Sequence, residues 1–241
     1  MSAGHPRALT LIRHAQSAGN VANDAAIAAN RAELDLAIRD VDVALSPLGE
    51  SQAKELGSWF AGHAAPDVVL CSPYRRALAT AQAALDAGGV DTPVRIDERL
   101  REREFGMLDR LTRVGIEARY PEQAAARAFL GKFFHRPPGG ESWADVAARV
   151  RAVLVDLRLD WADADVVVIT HQAVIMLFRL VLEELDELRL LEIDAANQIA
   201  NTAVTRYEWT ATGVRLAVFN DSSHLTPAET TDASDLPAAP R

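Results

Sequence analysis

The chain has 241 residues, of which 49% are hydrophobic and 24% charged, and its 34 acidic and 25 basic residues give a formal charge of −9. This composition excludes a mini-protein, a disordered chain and a fibrous chain, and it is typical of a packed globular protein. Arginine and lysine are scattered rather than gathered into a basic stripe, so we expect no nucleic-acid partner. An anionic substrate would therefore need a local cluster of positive charge at its binding site.

The cysteine content and the apolar runs bear on the cellular compartment. Cys71 is the single cysteine of the sequence, which excludes an internal disulfide and a thiolate-rich zinc site. Residues Met1 to Ala8 contain no apolar segment of the kind found in signal peptides. The longest uncharged run, Val166 to Phe178, is shorter than the ~18 residues that suggest a membrane span. We therefore expect a cytoplasmic protein with no membrane partner.

Three short apolar runs, at Ala8–Ile12, Asp67–Cys71 and Asp165–Thr170, predict β-strands. Continuous runs rich in β-branched residues are typical of strands that are buried on both faces of a parallel sheet. Near the C-terminus, Ala203–Trp209 and Val214–Phe219 flank a short turn, and they predict a hairpin or a strand pair at the edge of the sheet.

Helical patterns lie between these strands. Ser46 and Pro47 are typical of the N-cap and first position of a helix, and Ser142 with Asp145 resembles a capping box at the start of another. The stretch from Ala173 to Leu185 is apolar nearly all round and predicts a buried helix. Alternating strands and helices imply an α/β fold, a three-layer α/β/α sandwich with a mostly parallel sheet.

The chain shows no internal repeat and no interdomain linker, so we interpret residues 1–241 as a single domain. A helical excursion from Thr112 to Arg136, within a helical cap at about residues 107–141, is expected to cover one face. Residues from about 225 to 241 are rich in Thr, Asp, Ala and Pro and predict a flexible tail.

The residues that follow the predicted strands carry unusual chemistry. In an open α/β sheet, ligands bind outside the carboxyl ends of the strands. Arg13 and His14 follow the first strand, Arg75 and Arg76 come soon after the second, and His171 follows the third. Each residue alone has an ordinary alternative, such as a loop histidine or a surface charge on a helix. Their convergence on one crevice favours a functional site.

Several segments together carry a family resemblance. The segment Arg13-His14-Ala15-Gln16-Ser17-Ala18-Gly19-Asn20 resembles the Arg-His-Gly-x-Ser-x-x-Asn opening of the histidine phosphatase superfamily, also called the phosphoglycerate mutase-like family. The segment Ser72–Ala81 is similar to its Ser-Pro-x-x-Arg-Ala-x-x-Thr-Ala motif, and Leu100–Gly106 is similar to the segment that holds its acidic proton donor. Two shorter matches are Gly140-Glu141-Ser142 and Thr170-His171.

The resemblance runs from about Leu9 to about His171, and by architecture to Phe219. The sequence departs from the family pattern at two glycines, which are replaced by Ala15 after the first histidine and Gln172 after the second. Glycine at such places permits positive φ or close approach of the backbone to an anion. Alanine is a small change, whereas Gln172 would either crowd a phosphate or donate to it.

The resemblance implies phosphoryl transfer through a phosphohistidine. The catalytic residues that it implies begin with His14, the nucleophile, and Glu102, which rather than Glu104 is the proton donor. The resemblance also implies that Arg13, Arg76 and His171 are catalytic residues around the phosphoryl group. The expected substrate-binding residues are Arg13, Asn20, Arg76, His171 and Gln172. Independently of the family, the planar and permanently charged forks of two arginines suit phosphoryl oxygens. No acidic or histidine cluster has metal-ligand spacing, so we expect no metal and no other cofactor.

The favoured function is a metal-independent phosphomonoester hydrolase, a histidine acid phosphatase-type enzyme with a small phosphorylated molecule as its partner. The first alternative is a cofactor-dependent phosphoglycerate mutase, which is disfavoured because Leu130–Phe134 lacks the adjacent arginine pair that such mutases carry. The second alternative is a non-catalytic module that binds a phosphorylated ligand, and Gln172 motivates it. The physiological substrate and a homo-oligomeric state stay open.

Overall fold

The computed structural model describes residues 4–232, and within them the chain forms a six-stranded sheet and eight α-helices. The strands are β1 (Ala8–Arg13), β2 (Val68–Cys71), β3 (Val94–Ile96), β4 (Asp165–Thr170), β5 (Val204–Thr210) and β6 (Gly213–Asp221). The helices are α1 (Ala18–Ala28), α2 (Pro47–Ala61), α3 (Arg75–Gly88), α4 (Arg113–Arg119), α5 (Pro121–Phe134), α6 (Trp143–Asp160), α7 (Gln172–Leu182) and α8 (Glu187–Ala196).

The strands follow the order β3-β2-β4-β1-β5-β6 across the sheet. Pairing is parallel from β3 to β2, from β2 to β4 and from β4 to β1, whereas β5 is antiparallel to both β1 and β6. Within the described part of the chain, β5 is thus the single strand that runs against the others. The predicted mostly parallel α/β sheet and the predicted C-terminal strand pair are confirmed.

The two faces of the sheet are both covered, and β4 shows how. Successive side chains of a strand point to opposite faces. Val166 and Val168 belong to a buried cluster with α6 and α7, while Val167 and Ile169 belong to a second cluster with α2 and α3. Neither face of β4 meets water, so each of its side chains has to be compatible with burial, which explains the continuous apolar run. Helices α6 and α7 on one face and α2 and α3 on the other form the outer two of the three layers.

The predicted helix starts agree with the structure. The Ser46 hydroxyl accepts a hydrogen bond from the Gly49 amide at 3.0 Å at the start of α2. At the start of α6, Ser142 and Asp145 form a complete capping box, which satisfies two backbone amides that lack partners within the helix. The buried helix α7 ends at Leu182, three residues before the predicted end, because Glu184 adopts a left-handed conformation with φ of 51°.

Four elements are given neither a start nor a range by the sequence analysis: β3, α1, α3 and α8. Strand β3 has three residues, too few for a pattern of alternation, and it pairs with β2 at the edge of the sheet. The predicted excursion from Thr112 to Arg136 contains α4 and α5, and α5 is kinked at Gly131, where φ is 76°. The organisation as one domain with a cap stays a prediction.

The segment predicted as a flexible tail, residues 225–241, makes polar contacts with the rest of the fold in its described part, and its flexibility stays a prediction. The Thr231 hydroxyl donates to Asn201 Oδ1 at 2.9 Å, and Gln52 Nε2 donates to the Thr231 hydroxyl, also at 2.9 Å. A composition rich in threonine and proline is compatible with a segment that is held by polar contacts. The sequence alone does not show that the buried side chains of Gln52 and Asn201 are the partners of Thr231. The part of the prediction that covers residues 233–241 lies outside the described residues.

Candidate active site

The residues that follow β1 and β4 meet at one edge of the sheet. His14 directly follows β1, and its backbone amide donates to the Thr170 carbonyl at the end of β4 at 2.9 Å. His171 is the next residue after Thr170, and the rings of His14 and His171 lie 5.0 Å apart between centroids. Both histidines and Arg13 are fully buried, with 0% exposure. The structure therefore brings the two predicted catalytic histidines into contact.

Arg76 reaches the same place from the first turn of α3. Its Nε donates to Nε2 of His14 at 3.2 Å, and the residue is buried. The Arg13 guanidinium is buried as well and donates through Nη1 to the Ile199 carbonyl, on the segment that precedes β5. Two permanent positive charges are thus held inside the fold, and Arg76 is in direct contact with the candidate nucleophile.

The hydrogen bonds of His14 define its tautomer. Its Nδ1 lies 2.7 Å from the carbonyl oxygen of Ala15, which can only accept a hydrogen bond. Nδ1 must therefore carry the proton, and Nε2 keeps a lone pair, which accepts from Arg76. His14 is accordingly held as a neutral imidazole whose lone pair is on Nε2, the ring nitrogen that accepts from Arg76.

His171 and Glu102 form the other half of the site. Nε2 of His171 lies 2.7 Å from the Ser72 hydroxyl, and its Nδ1 lies 3.9 Å from Glu102 Oε2. Glu102 is buried, and its Oε1 accepts from the Arg103 backbone amide at 2.7 Å. One oxygen of this carboxyl group is thus fixed by the backbone, and the other is directed toward His171.

Burial affects the arginine that follows Glu102. Burial and, to a smaller extent, the positive charge of Arg127 together lower the pKa of the Arg103 guanidinium to about 10. Glu104, the alternative proton donor, is more exposed than Glu102. Burial raises the pKa of Glu104, and the nearby charges of Asp109 and Asp40 act in the same direction.

Asn20 and Gln172, two predicted substrate-binding residues, both make hydrogen bonds within the protein. Asn20 is buried in the first turn of α1, where its Oδ1 accepts from the Ser17 amide at 2.9 Å as part of a capping box. Gln172 is the first residue of α7, and its Nε2 donates to Gln198 Oε1 at 2.7 Å. The amide nitrogen of Gln172 thus already has an acceptor, and a role of either residue in substrate binding stays a prediction.

A cleft of about 530 Å³, including the solvent at its mouth, opens next to Arg76 and Asn20. Leu34, Leu36 and Phe105 give it an apolar wall, and Asp40 and Asp109 add carboxyl groups. Burial raises the pKa of Asp109, and the negative charge of Asp40 raises it further. The cleft is the candidate place for the organic part of a substrate.

Two contacts of the site are not anticipated by the sequence analysis. Ser72 lies in the segment that resembles the family motif, so the sequence carried a signal for it, although not for its contact with His171. Asp40 binds Arg76 through both carboxylate oxygens, at 3.0 and 3.2 Å. It lies in a three-residue 3-10 helix between α1 and α2, where no periodic pattern marks it.

Across residues 4–232, no group of three or more His, Cys, Asp or Glu residues is arranged so that it could hold a metal ion. In the same described part of the chain, no helix is both long enough and apolar enough to cross a membrane.

The model of the histidine phosphatase superfamily (branch 1) matches residues 9–222 of the chain. The chain belongs to this superfamily. The superfamily match extends over β1 to β6, so it includes both histidines, both arginines and Glu102. The resemblance inferred from the motifs is therefore confirmed, whereas the role of each residue stays a prediction.

Named relatives within the superfamily carry out more than one reaction. The 6-phosphofructo-2-kinase/fructose-2,6-bisphosphatase of Caenorhabditis elegans is 32% identical over 171 residues, which are 70% of this chain and 33% of that protein. The 2,3-bisphosphoglycerate-dependent phosphoglycerate mutase of Mycobacterium leprae (strain Br4923) is 37% identical over 125 residues, 51% of this chain and 46% of that protein. The chain thus matches less than half of the length of either relative.

A solved structure covers the chain more completely. The complex of a mycobacterial glucosyl-3-phosphoglycerate phosphatase with inorganic phosphate has a TM-score of 0.68 and 28% identity, over 91% of this chain and 100% of that chain. These superfamily members are phosphatases and mutases, which indicates a catalytic protein. They do not decide between the two reactions.

Proposed function

We propose that the chain hydrolyses small phosphomonoesters without a metal ion, through a phosphohistidine at His14. The observation that carries the proposal is the hydrogen bond of His14 Nδ1 to the Ala15 carbonyl, which leaves a lone pair on Nε2 beside Arg76. A neutral imidazole with a fixed lone pair is the form that can attack phosphorus. Similarity over 91% of this chain to the structure of a phosphatase with inorganic phosphate supports the same reaction class.

In the first step, Nε2 of His14 attacks the phosphorus atom, and the bond from phosphorus to the ester oxygen breaks. The phosphoryl group passes to His14, and the leaving oxygen takes a proton from the carboxyl group of Glu102. Arg76 and Arg13 neutralise the phosphoryl oxygens, because catalysis of phosphoryl transfer depends mainly on positioning and charge. Burial of both arginines strengthens this effect, since buried charges are poorly screened.

In the second step, Glu102 takes a proton from a water molecule, and the water oxygen attacks the phosphorus. The bond from phosphorus to Nε2 breaks, inorganic phosphate leaves, and His14 and Glu102 return to their starting protonation states. His171 lies between Ser72 and Glu102, at 2.7 Å and 3.9 Å. We assign it to a hydrogen bond with the phosphoryl group, with Ser72 holding the orientation of its ring.

The experiment for this proposal uses 4-nitrophenyl phosphate and the purified chain. We expect release of inorganic phosphate, and after a brief incubation with 32P-labelled substrate we expect acid-labile, base-stable label on the protein. His14→Ala is expected to abolish the label and the turnover, whereas His63→Ala, at an exposed histidine stacked on Trp59, is the matched control. Label that persists in His14→Ala would contradict the proposal, and phosphate binding without turnover would favour a non-catalytic module.

A phosphoglycerate mutase is the second candidate, because a relative with that name is 37% identical to part of the chain. A mutase must hold the second anionic end of a small phosphorylated acid with positive charges. Three cations of the predicted cap already have carboxylate partners: Lys132 with Asp194, Arg136 with Asp145, and Arg113 with Glu117. These ion pairs favour hydrolysis over mutase activity.

A further inference from the structure

Through its hydroxyl group, Thr231 joins two buried amide side chains, those of Gln52 and Asn201, by hydrogen bonds. Its hydroxyl accepts a hydrogen bond from Gln52 Nε2 at 2.9 Å and donates one to Asn201 Oδ1 at 2.9 Å. Its carbonyl oxygen accepts from the Asn201 backbone amide at 2.7 Å. Gln52 and Asn201 both have 0% exposure, so the residue that joins them fixes polar groups that water cannot reach.

The first branch leads through Gln52 to the tautomer of His14. Gln52 Oε1 accepts from the Gln16 backbone amide at 2.8 Å. That N–H group belongs to the same planar peptide unit as the Ala15 carbonyl, which accepts from Nδ1 of His14 at 2.7 Å. Rotation of this peptide unit would move both groups together. The amide of Gln52 therefore fixes the direction of the carbonyl that keeps the proton on Nδ1.

The second branch leads through Asn201 to the preceding peptide unit. Asn201 Nδ2 donates to the His14 carbonyl at 2.9 Å. The N–H group of that peptide unit belongs to Ala15 and donates to the Thr80 hydroxyl at 3.0 Å. Both peptide units that flank Ala15 are thus held by side chains from elsewhere in the sequence, and two of those side chains meet at Thr231.

The donors and acceptors allow one arrangement of this network. Gln52 must present its oxygen to the Gln16 amide, so its nitrogen faces Thr231 and the Glu229 carbonyl, at 2.6 Å from the latter. Asn201 must present its nitrogen to the His14 carbonyl, so its oxygen faces Thr231. The group between them has to accept on one side and donate on the other, which a hydroxyl group can do.

We propose that Thr231 is a positioning residue for His14, which keeps the imidazole in its Nδ1-protonated form through Gln52 and Asn201. Thr231 makes none of its hydrogen bonds to His14 itself and acts through the two peptide units around Ala15. The effect on turnover rests on the proposed phosphohistidine mechanism. The effect on the tautomer does not, so the two are tested by separate measurements.

The test compares three substitutions in the full-length chain. Thr231→Val keeps the shape of the side chain and removes the hydroxyl group, whereas Thr231→Ser keeps the hydroxyl group. Thr230→Val is the matched control, because the exposed Thr230 hydroxyl donates within its own segment, to the Thr226 carbonyl at 3.1 Å. We expect kcat for 4-nitrophenyl phosphate to fall about tenfold in Thr231→Val, with KM little changed, because the nucleophile is misplaced. Thr231→Ser and Thr230→Val should retain kcat within about twofold of the unaltered chain.

The second measurement is the 15N NMR spectrum of the His14 ring, assigned by its loss in His14→Ala. The Nδ1 and Nε2 shifts should indicate the Nδ1-protonated form in the unaltered chain and in Thr231→Ser, and a mixture of tautomers in Thr231→Val. Equal shifts in all the variants would overturn the inference, as would an equal loss of kcat in Thr231→Ser and Thr231→Val. If the unaltered chain has no phosphatase activity, the proposed function fails, and the NMR spectra alone decide the role of Thr231.

Discussion

Asp40 binds both terminal nitrogens of Arg76, with Nη1 at 3.0 Å from Oδ1 and Nη2 at 3.2 Å from Oδ2. The Asp40 carbonyl also accepts from Nη1, at 2.8 Å. A guanidinium fork that suits two phosphoryl oxygens is thus engaged by a carboxylate of the chain itself. A bound phosphoryl group must share Arg76 with Asp40 or displace its carboxylate.

The first prediction follows from this competition. Asp40→Asn should tighten inhibition by inorganic phosphate by about tenfold, because the neutral amide competes less strongly for the guanidinium of Arg76. Asp42→Asn, at an exposed carboxylate of the same short helix, is the control and should leave inhibition unchanged. Product-inhibition kinetics measure both variants. Weaker inhibition in Asp40→Asn would show instead that Asp40 orients Arg76 for phosphate binding.

The second prediction distinguishes Glu102 from Glu104. Glu102→Gln should lower kcat for an alkyl phosphate by ~10² or more, the usual scale for removal of general acid catalysis. Glu104→Gln should change kcat little, because Glu104 is more exposed and Glu102 is the carboxyl group directed toward His171. With 4-nitrophenyl phosphate the loss in Glu102→Gln should be smaller, since nitrophenolate leaves without a proton. The reverse ranking would assign the proton donor to Glu104.

The third prediction is that turnover does not depend on a metal ion. Arg13, Arg76 and the two histidines supply the charge and hydrogen bonds that a metal ion would otherwise provide. Activity should survive dialysis against excess chelator, and vanadate should inhibit, because it adopts the five-coordinate geometry of phosphoryl transfer. Loss of activity on chelation, with recovery on addition of a divalent ion, would contradict the mechanism.

The fourth prediction concerns the ratio of hydrolysis to mutase activity. Because Lys132, Arg136 and Arg113 are paired with carboxylates, water should capture the phosphohistidine faster than the hydroxyl group of a phosphoglycerate does. Phosphate release from several monoesters should exceed conversion of 3-phosphoglycerate to 2-phosphoglycerate, assayed with added 2,3-bisphosphoglycerate. If the conversion is the faster reaction, those three cations become the residues to test by substitution.

The central strands and the two histidines could be predicted from the sequence, for a physical reason. A strand buried on both faces must be continuously apolar, so β1, β2 and β4 stand out, and polar residues directly after them mark the edge where ligands bind. His14 and His171 are both found in this way. Strand β3 lacks this signal because it has three residues, partly or largely exposed.

The contacts of Asp40 and Thr231 could not be predicted in the same way. Asp40 reaches Arg76 across 36 positions of sequence, and Thr231 reaches Asn201 across 30 positions. Both lie in segments without helical or strand periodicity, so local patterns do not indicate which side chain they contact. Polar contacts of this kind depend on the tertiary structure, which brings together residues that are distant in sequence. The composition near Thr231 is typical of a tail and gives no sign of such a contact.

The position of β1 in the sheet has a consequence for biosynthesis. Ala8 pairs with Asp165 on one side and with Glu208 on the other, so β1 leaves the ribosome before either of its two neighbours in the sheet. Until β4 and β5 emerge, the apolar β1 of the nascent chain has neither neighbour and is a target for chaperones. Pairing over such separations is slow to nucleate. His14, which directly follows β1, is therefore translated well before the strands that pack on either side of β1.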